Sequence, residues 1–214
     1  MALQQPQQQQ ANVAEIDQQL AFFQAIPWCA SHLSDTPTPV IRPSLSQRRR
    51  NAPGDVFFSH TLNAPGAIPA LVNFHAPPSA HVVADPKGPL GPEPLISRLR
   101  ALIALGPMLN GWAGVCHGGI VGTLMDETVG QLFVANQDHG LLPQDVPVMT
   151  VYQNIRFVKP ARTGTVQKPA VVLVTARVVK REGRKFWLEA DVQEEGGVVL
   201  ARAESLFVTP RSML

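Results

Sequence analysis

The second half of the chain carries long runs in which apolar and polar residues alternate. Four of these runs are rich in β-branched and aromatic residues and are separated by turn-forming residues: 148–160, 170–180, 185–193 and 198–208. The third run shows the alternation most plainly, with an apolar side chain at every second position from Phe186 to Val192. We therefore predict four consecutive long antiparallel strands joined by turns.

A different period precedes these strands, between residues 118 and 136. Apolar-face positions there recur at helical spacing: Val121, Leu124, Met125, Thr128, Val129 and Leu132. This spacing places them on one face of an α-helix, and two glycines mark its beginning. A central helix followed by long strands predicts an α+β fold in which a curved antiparallel sheet wraps around the helix.

The first half of the chain is harder to interpret, because prolines interrupt it at short intervals. Residues 70–75 form one candidate strand. Residues 98–105 fit a strand or a helix, since leucine and alanine favour the helix. Residues 15–32 predict a short helix packed on the domain, although Pro27 interferes with its period. Residues 34–55, rich in proline, serine and arginine, predict a long surface loop.

Composition narrows the class of protein. The 214 residues are 45% hydrophobic and 16% charged, which is enough apolar surface for the core of one domain. A formal net charge of +2 is too small to indicate that the protein binds a polyanion, so no nucleic acid partner is expected. No run approaches the roughly 18 apolar residues that a membrane-spanning helix needs, so no membrane span is expected.

Cysteine and histidine usage indicates neither disulfides nor a metal. The two cysteines, Cys29 and Cys116, give no disulfide framework and no metal-binding spacing, and the histidines show no metal spacing either. This usage favours a reducing compartment. The N-terminal residues lack the features of a signal peptide, so we expect the cytoplasm, with the mitochondrion as an alternative.

The predicted helix begins with the motif His117-Gly118-Gly119 and carries an acidic pair, Asp126-Glu127. Two later segments accompany it, the strand VMTVYQNIRFVKP and the closing hairpins EGRKFWLEADVQEEGGVVLARAESLFV. Together these segments resemble the hotdog-fold acyl-CoA thioesterase superfamily of the phenylacetate-degradation type, including its animal and fungal members. The resemblance implies a hotdog fold, in which the curved sheet wraps around the central helix.

The resemblance covers about residues 57–209 and gives the expected domain organisation. A disordered glutamine-rich tail (1–14) and an N-terminal extension (15–56) precede the hotdog domain, and a short tail (210–214) follows it. The segment ALIALGPMLNGWAGVCHGG is similar to the strand and loop that lead into the helix in fungal members. The resemblance therefore favours a strand for residues 98–105.

Members of this family hydrolyse acyl thioesters of coenzyme A or of carrier proteins, and the resemblance implies that activity here. It implies no metal and no cofactor, since the coenzyme A or phosphopantetheine moiety is part of the substrate. It also implies a homodimer or a dimer of dimers with the site at the subunit interface. The Asp126 that serves one Gly118 is then expected to come from the partner subunit.

Backbone N–H groups at a helix N-terminus can stabilise the oxyanion that forms when a thioester carbonyl is attacked. Gly118 and Gly119 supply such an end, and glycine lets a carbonyl approach the backbone closely. The resemblance assigns the oxyanion-binding N–H to Gly118. A plain tight turn into a helix is the alternative interpretation of the two glycines.

Hydrolysis also needs a carboxylate that deprotonates water or attacks the carbonyl. On a helix Asp126 falls on the flank of Val129, whereas Glu127 lies nearer Thr123 and Gln131. The flank of Asp126 is the more apolar, so a carboxylate there could be partly desolvated. The acid of the family also falls at Asp126, which we predict to be catalytic, with Glu127 as its solvated or hydrogen-bonded neighbour.

Further candidates surround the motif. Thr150 matches a strand hydroxyl that holds the attacking water or the carboxylate in several relatives, with ordinary strand packing as the alternative. Asn110 is a candidate to touch the carbonyl or the water, but its spacing from His117 differs by one residue from the relatives that use an asparagine there. We expect His117 to bond the loop backbone and fix the geometry of the two glycines. Cys116 is interpreted as a small buried apolar residue and not as a nucleophile, because adjacent residues on an extended segment point apart.

Arg156, Lys159 and Arg184 are available to the phosphates of coenzyme A or of a carrier arm, with ordinary solubility charges as the alternative. Two alternative functions stay open. One is a hotdog dehydratase or hydratase acting on an acyl thioester, a chemistry that usually needs a histidine base. The other is a non-catalytic acyl-binding or scaffold protein that keeps the fold for dimerisation.

Overall fold

The computed structural model describes residues 16–35, 39–42, 56–78, 95–144 and 146–210. The strands in these ranges are β1 (Val40–Arg42), β2 (Leu71–His75), β3 (Arg98–Leu105), β4 (Asn110–Trp112), β5 (Val115–Cys116), β6 (Met149–Phe157), β7 (Ala170–Glu182), β8 (Lys185–Glu194) and β9 (Val198–Val208). The helices are α1 (16–24), α2 (Pro27–Ser34) and α3 (Gly118–Asp138), with a π-helical turn at Phe57–Thr61 and 3₁₀ turns at Pro107–Leu109 and Glu195–Gly197.

The predicted regular elements are confirmed. The four alternating runs are β6 to β9, the candidate strand at 70–75 is β2, and the ambiguous segment at 98–105 is the strand β3. Residues 98–105 form a strand because they lie in the middle of the sheet. There β3 pairs with β2 on one side and with β7 on the other, and its residues from Ala101 onward are buried. Burial within a sheet has overridden the helix propensity of leucine and alanine.

Seven strands form one antiparallel sheet in the order β1-β2-β3-β7-β8-β9-β6, and β4 pairs with β5 separately. The strand β6 pairs with β9 and not with its neighbour in sequence, β7. Its other side has no neighbouring strand in the described part of the chain. The strand that follows α3 is therefore an edge of the sheet.

The helix α3 packs across one face of the sheet, called here the helix face, and contacts β3, β6, β7, β8 and β9. All six positions of its predicted apolar face are buried. Leu124, Met125 and Leu132 are among the most deeply buried side chains, at 1% exposure or less. A curved antiparallel sheet around a long central helix is the hotdog fold that the sequence predicted.

The helices α1 and α2 pack on the opposite face of the sheet, called here the outer face. Phe23 of α1 and Cys29 of α2 are buried against side chains of β2 and β3 that include Phe74. The predicted packing of a helix on the domain is confirmed with one correction. Pro27 does not only interfere with one helix but begins a second, since proline suits the first helical turn.

The predicted surface loop at 34–55 is wrong at one place. Val40–Arg42 forms β1, which pairs with β2 through the partners Val40 and His75. Three residues between two prolines are too few to show a period. Several predictions lie outside the described residues, namely the tail 1–14, most of the loop around β1 and the last four residues of the chain.

Candidate functional site

The N-terminus of α3 is capped by the side chain of His117. Its Nδ1 atom accepts a hydrogen bond from the Gly119 N–H at 3.0 Å, while the N–H groups of Ile120 and Val121 donate to the His117 carbonyl. These three bonds satisfy the N–H groups of Gly119, Ile120 and Val121 in the first turn of the helix. The Gly118 N–H remains, with no acceptor among the described residues. The expectation that His117 fixes the glycine geometry agrees with this contact.

A small hairpin holds this helix end in place. The strands β4 and β5 pair Asn110 with Cys116, and the His117 N–H donates to the Leu109 carbonyl at 2.8 Å. A Cβ atom on Gly111 would stand 2.9 Å from the His117 Cα, so only glycine fits beside the cap. The side chain of Asn110 lies on this hairpin, where its Oδ1 accepts from the Thr163 hydroxyl.

Asp126 lies two turns further along α3 and contacts the edge strand. Its Oδ1 atom accepts a hydrogen bond from the Thr150 hydroxyl at 2.8 Å. Strand alternation would place Thr150 on the face away from Gln153 and Ile155, which both contact α3. A bulge between Thr150 and Tyr152 adds one residue and turns the Thr150 side chain to the helix face.

A cleft of about 550 Å³ opens beside Asp126, called here the Asp126 cleft. It is lined by Phe57, Phe58, Gly122, Thr123, Asp126, Glu127, Gln153 and Ile155. Asp126 and Glu127 both reach this cleft, although the helical projection placed them on separate flanks. The two acids differ in their partners, since Glu127 accepts a hydrogen bond from Gln131 on the same helix.

Several of the lining residues, among them Phe57, Phe58 and Gln153, were missed by the sequence analysis. Phe57 and Phe58 come from the π-helical turn about 60 residues before α3, and no periodic signal links them to it. Gln153 donates from Nε2 to the Gly122 carbonyl at 3.0 Å and so joins β6 to α3. Regular strand alternation would put Gln153 and Thr150 on opposite faces of β6. The bulge that brings them to the same face cannot be recognised in the sequence.

The Gly118 N–H and the Asp126 carboxylate of one chain are too far apart to act on the same carbonyl. They lie eight residues apart on one helix, which is about 12 Å at 1.5 Å per residue. Groups that act on one reacting atom must both lie within about 3 Å of it. A site that uses both groups therefore needs two copies of α3.

Cys116 is buried at 5% exposure beside this helix end. Burial raises the pKa of its thiol to about 11. The sulfur lies 3.8 Å from the His117 carbonyl oxygen, while the His117 imidazole faces Gly119 instead. The interpretation of Cys116 as a buried apolar residue is confirmed, and no Cys-His pair forms.

The structure does not bring the predicted phosphate-binding residues to the Asp126 cleft. Arg156 lies opposite Arg202 on the outer face, in a separate cleft of about 670 Å³ that also holds Glu189 and Glu204. Lys159 is exposed just beyond β6. Arg184 lies in the turn between β7 and β8 and donates to the Thr209 carbonyl. Within the described ranges, no group of three histidine, cysteine or acidic side chains could hold a metal ion.

Comparison with known proteins identifies the class. The sequence model of the Thioesterase superfamily matches residues 113–201. The chain is 30% identical over 180 residues to the Verlamelin biosynthesis protein B of Lecanicillium sp, covering 72% of this chain and 73% of that protein. It is also 29% identical over 112 residues to the acyl-coenzyme A thioesterase THEM4 of Xenopus laevis, covering 52% of this chain and 45% of that protein.

Among solved structures, the chain is similar to a Bacillus halodurans protein crystallised with CoA, at 29% identity and a TM-score of 0.44, over 53% of this chain and 68% of that chain. The match to the family and the extent of the Lecanicillium relative together show that this chain belongs to the thioesterase superfamily. None of the helices in the described ranges is long and apolar enough to cross a membrane.

Proposed function

We propose that the protein is an acyl-thioester hydrolase that acts on coenzyme A or carrier-protein thioesters. The observation that carries the proposal is the Asp126 carboxylate, held by Thr150 in a cleft beside the central helix. Membership of the thioesterase superfamily supports the reaction class. The name of the Xenopus relative, an acyl-coenzyme A thioesterase, supports coenzyme A as one leaving group.

In the proposed reaction the thioester carbonyl oxygen accepts a hydrogen bond from the N–H of Gly118 of the partner subunit. Because this donor is fixed at a helix N-terminus, it stabilises the negative charge that develops on the oxygen. Asp126 removes a proton from water as the water oxygen attacks the carbonyl carbon. The C–S bond then breaks, and the leaving thiolate takes the proton from Asp126. Direct attack by Asp126 on the carbonyl would use the same arrangement.

Self-association through β6 would complete this site. The strand is an edge of the sheet, and its exposed side chains include Met149, Val151 and Phe157, each more than half exposed. An edge strand with large exposed apolar side chains is a surface that pairs with another strand. Pairing with a second copy would bring two α3 helices together, and we infer a homodimer as the working unit.

The geometry of His117 favours the hydrolase over a dehydratase or hydratase. Its Nδ1 accepts the Gly119 N–H, so that nitrogen cannot accept a proton from a substrate without breaking the helix cap. In this tautomer the other ring nitrogen carries the hydrogen and is a donor. Neither nitrogen is then ready to act as the base that such a reaction needs.

Thiol release from a panel of acyl-CoAs and acyl N-acetylcysteamine thioesters tests the proposal. We expect the wild type to hydrolyse at least one of them. Asp126→Asn should lose about 10²-fold or more in kcat, the scale of a missing general base, while its thermal unfolding stays close to wild type. Asp138→Asn, which changes an exposed acid on the same helix, is the matched control and should keep its activity.

Three results would contradict the proposal. If Asp126→Asn kept full activity, the assignment of the acid would be wrong. If the wild type released no thiol but converted an enoyl thioester to its hydroxyacyl form, the hydratase alternative would replace the hydrolase. Tight binding of acyl thioesters without any turnover would favour the acyl-binding alternative.

A further inference from the structure

A second groove of about 510 Å³ continues from the Asp126 cleft along α3. We call it the α3 groove, and it runs past Gly130, Phe133 and Val134 on one side and Val146 and Val148 on the other. Glu127 lines both the groove and the Asp126 cleft, so the two spaces meet at that residue. The middle of the groove is apolar, and it leads directly away from the candidate catalytic acid.

Gly130 lies in the interior of α3, at a position where no described residue packs closely against it. A Cβ atom built there would meet nothing within 4 Å among the described residues. Gly122 on the same helix is different, because a Cβ atom there would stand 2.8 Å from Ile155 Cδ1. Glycine in a helix interior destabilises the helix relative to alanine. At Gly122 close packing explains the glycine, whereas at Gly130 its effect is to leave space in the groove.

The walls of the α3 groove are anchored on both sides. Phe133 packs against Phe186 and Phe207, with ring centroids 5.1 and 5.5 Å away. On the other side Gln137 donates from Nε2 to the carbonyls of Pro143 and Val146 at 3.1 and 2.9 Å. These bonds fasten the segment after α3 to the helix. The groove is therefore formed before any ligand enters it, as binding sites for apolar ligands usually are.

We propose that the α3 groove holds the acyl chain of the thioester and that Gly130 determines how long a chain is accepted. This inference rests on the proposed function. Along the helix, Gly130 lies about 6 Å and Val134 about 12 Å from the position of Asp126. A short acyl group ends before Gly130, whereas a longer alkyl chain must pass over it. The substrate class is thus a thioester with an extended apolar acyl chain.

In the proposed dimer the α3 helix of the partner subunit leaves this groove open. If Gly118 of each copy serves Asp126 of the other, the two α3 helices run antiparallel and cross near residue 122. Each helix then begins close to Asp126 of its partner and does not extend along residues 127–138. The partner helix therefore does not fill the α3 groove.

Substitution at Gly130 tests the inference. We compare Gly130→Ala and Gly130→Leu with wild type on butyryl, octanoyl and dodecanoyl thioesters of coenzyme A and of N-acetylcysteamine. For Gly130→Leu, the ratio of kcat/KM for the dodecanoyl substrate to that for the butyryl substrate should fall at least ~10-fold, the effect of a misfit in an apolar pocket. Gly130→Ala should give a smaller fall in the same direction.

Stability separates this effect from damage to the fold. Both variants replace a helix-interior glycine at an open position, so each should raise Tm, by about 2 °C or more, while long-chain selectivity falls. Asp138→Leu adds the same side chain at an exposed position of α3 outside the groove. This control should leave the chain-length ratio unchanged.

The outcomes distinguish the inference from the proposed function. Full hydrolytic activity with an unchanged ratio in Gly130→Leu would overturn the inference and leave the hydrolase proposal intact. A wild type without hydrolysis would overturn the hydrolase, and calorimetric binding of dodecyl-CoA and butyl-CoA thioethers would then decide on the groove. Loss of the dimer in Gly130→Leu would identify the groove as a subunit interface and also overturn the inference.

Discussion

Thr150 on the edge strand donates its hydroxyl to Asp126 on the central helix at 2.8 Å. The contact joins the two elements that the proposed catalysis needs, the helix that carries the acid and the strand that we expect to meet a second subunit. It depends on the bulge after Thr150, since regular alternation would turn the hydroxyl to the outer face. In the proposed reaction this hydrogen bond holds one carboxylate oxygen and leaves the other to accept the proton of the attacking water.

Thr150→Val therefore tests positioning of the acid. Valine keeps the shape of threonine but cannot donate, and a hydrogen bond to a charged group is worth about 1.5–3 kcal/mol. We expect kcat to fall roughly 10- to 100-fold with little change in KM, measured by thiol release. Thr150→Ser keeps the donor and should recover most of the activity, whereas a merely structural role would lower the Tm of Thr150→Val and leave the kcat of the folded enzyme unchanged.

The Gly118 N–H can be removed without removing the helix. Gly118 is the first helical residue after the His117 cap, and His117 has φ −60° and ψ 134°, which are extended values compatible with a following proline. Gly118→Pro should lower kcat by about 10²-fold, the scale of one lost oxyanion donor. Gly118→Ala keeps the N–H and adds the same Cβ atom, 3.3 Å from Phe157 Cζ, so it is the matched control. Equal losses in both variants would refute the donor role.

A site shared between subunits can be tested by mixing two inactive variants. A heterodimer of Asp126→Asn and Gly118→Pro chains contains one site with both substitutions and one with neither. Unfolding and refolding an equal mixture should restore about a quarter of wild-type activity if subunits pair at random in a symmetric dimer. Each variant refolded alone is the control. Activity that stays at the level of the separate variants would place both groups in one chain or the dimer elsewhere.

The sequence predicted the elements with periodic packing and the motif at the helix start. The apolar face of α3 and the alternation in β8 follow from burial against each other, so period alone located them. The strand β1 was not predicted, because three residues between two prolines are too few to show a period. Pro27 was misinterpreted because the sequence does not show whether a proline ends one helix or begins another.

The parts of the site that the sequence did not predict depend on contacts between distant segments. The side of the strand to which Thr150 points is set by its register with β9 around Phe207 and Leu206. Phe57 reaches the Asp126 cleft from a turn that only the tertiary fold brings near α3. Arg156 was chosen for its charge, but strand alternation turned it to the outer face.

The Cys116 thiol should react slowly with alkylating reagents, although it directly precedes the His-Gly-Gly motif. Burial raises the pKa of its thiol to about 11, so little of the reactive thiolate exists at pH 8. We expect slow alkylation by iodoacetamide in the folded protein and rapid alkylation after denaturation, followed by mass spectrometry. Cys116→Ala should keep kcat within about twofold, because the thiol has no part in the proposed acid-base chemistry. Rapid alkylation with loss of activity would restore a role for the thiol.

The contact between α2 and the sheet should weaken in acid. Nδ1 of His32 lies 3.4 Å from Nη1 of Arg100, and the pKa of His32 is lowered by burial first and then by the Arg100 charge, with Asp35 acting in the opposite sense. The unfolded chain, in which the pKa of histidine is about 6.5, then binds more protons than the folded chain in mildly acidic solution. The stability contributed by neutral His32 is complete above the unfolded-state pKa of about 6.5. It is lost as the pH falls from that value through the lower pKa of His32 in the folded state. Tm should therefore drop between pH 7.5 and 5.5, and His32→Gln should reduce this drop. An unchanged drop in His32→Gln would show that other groups govern the acid response.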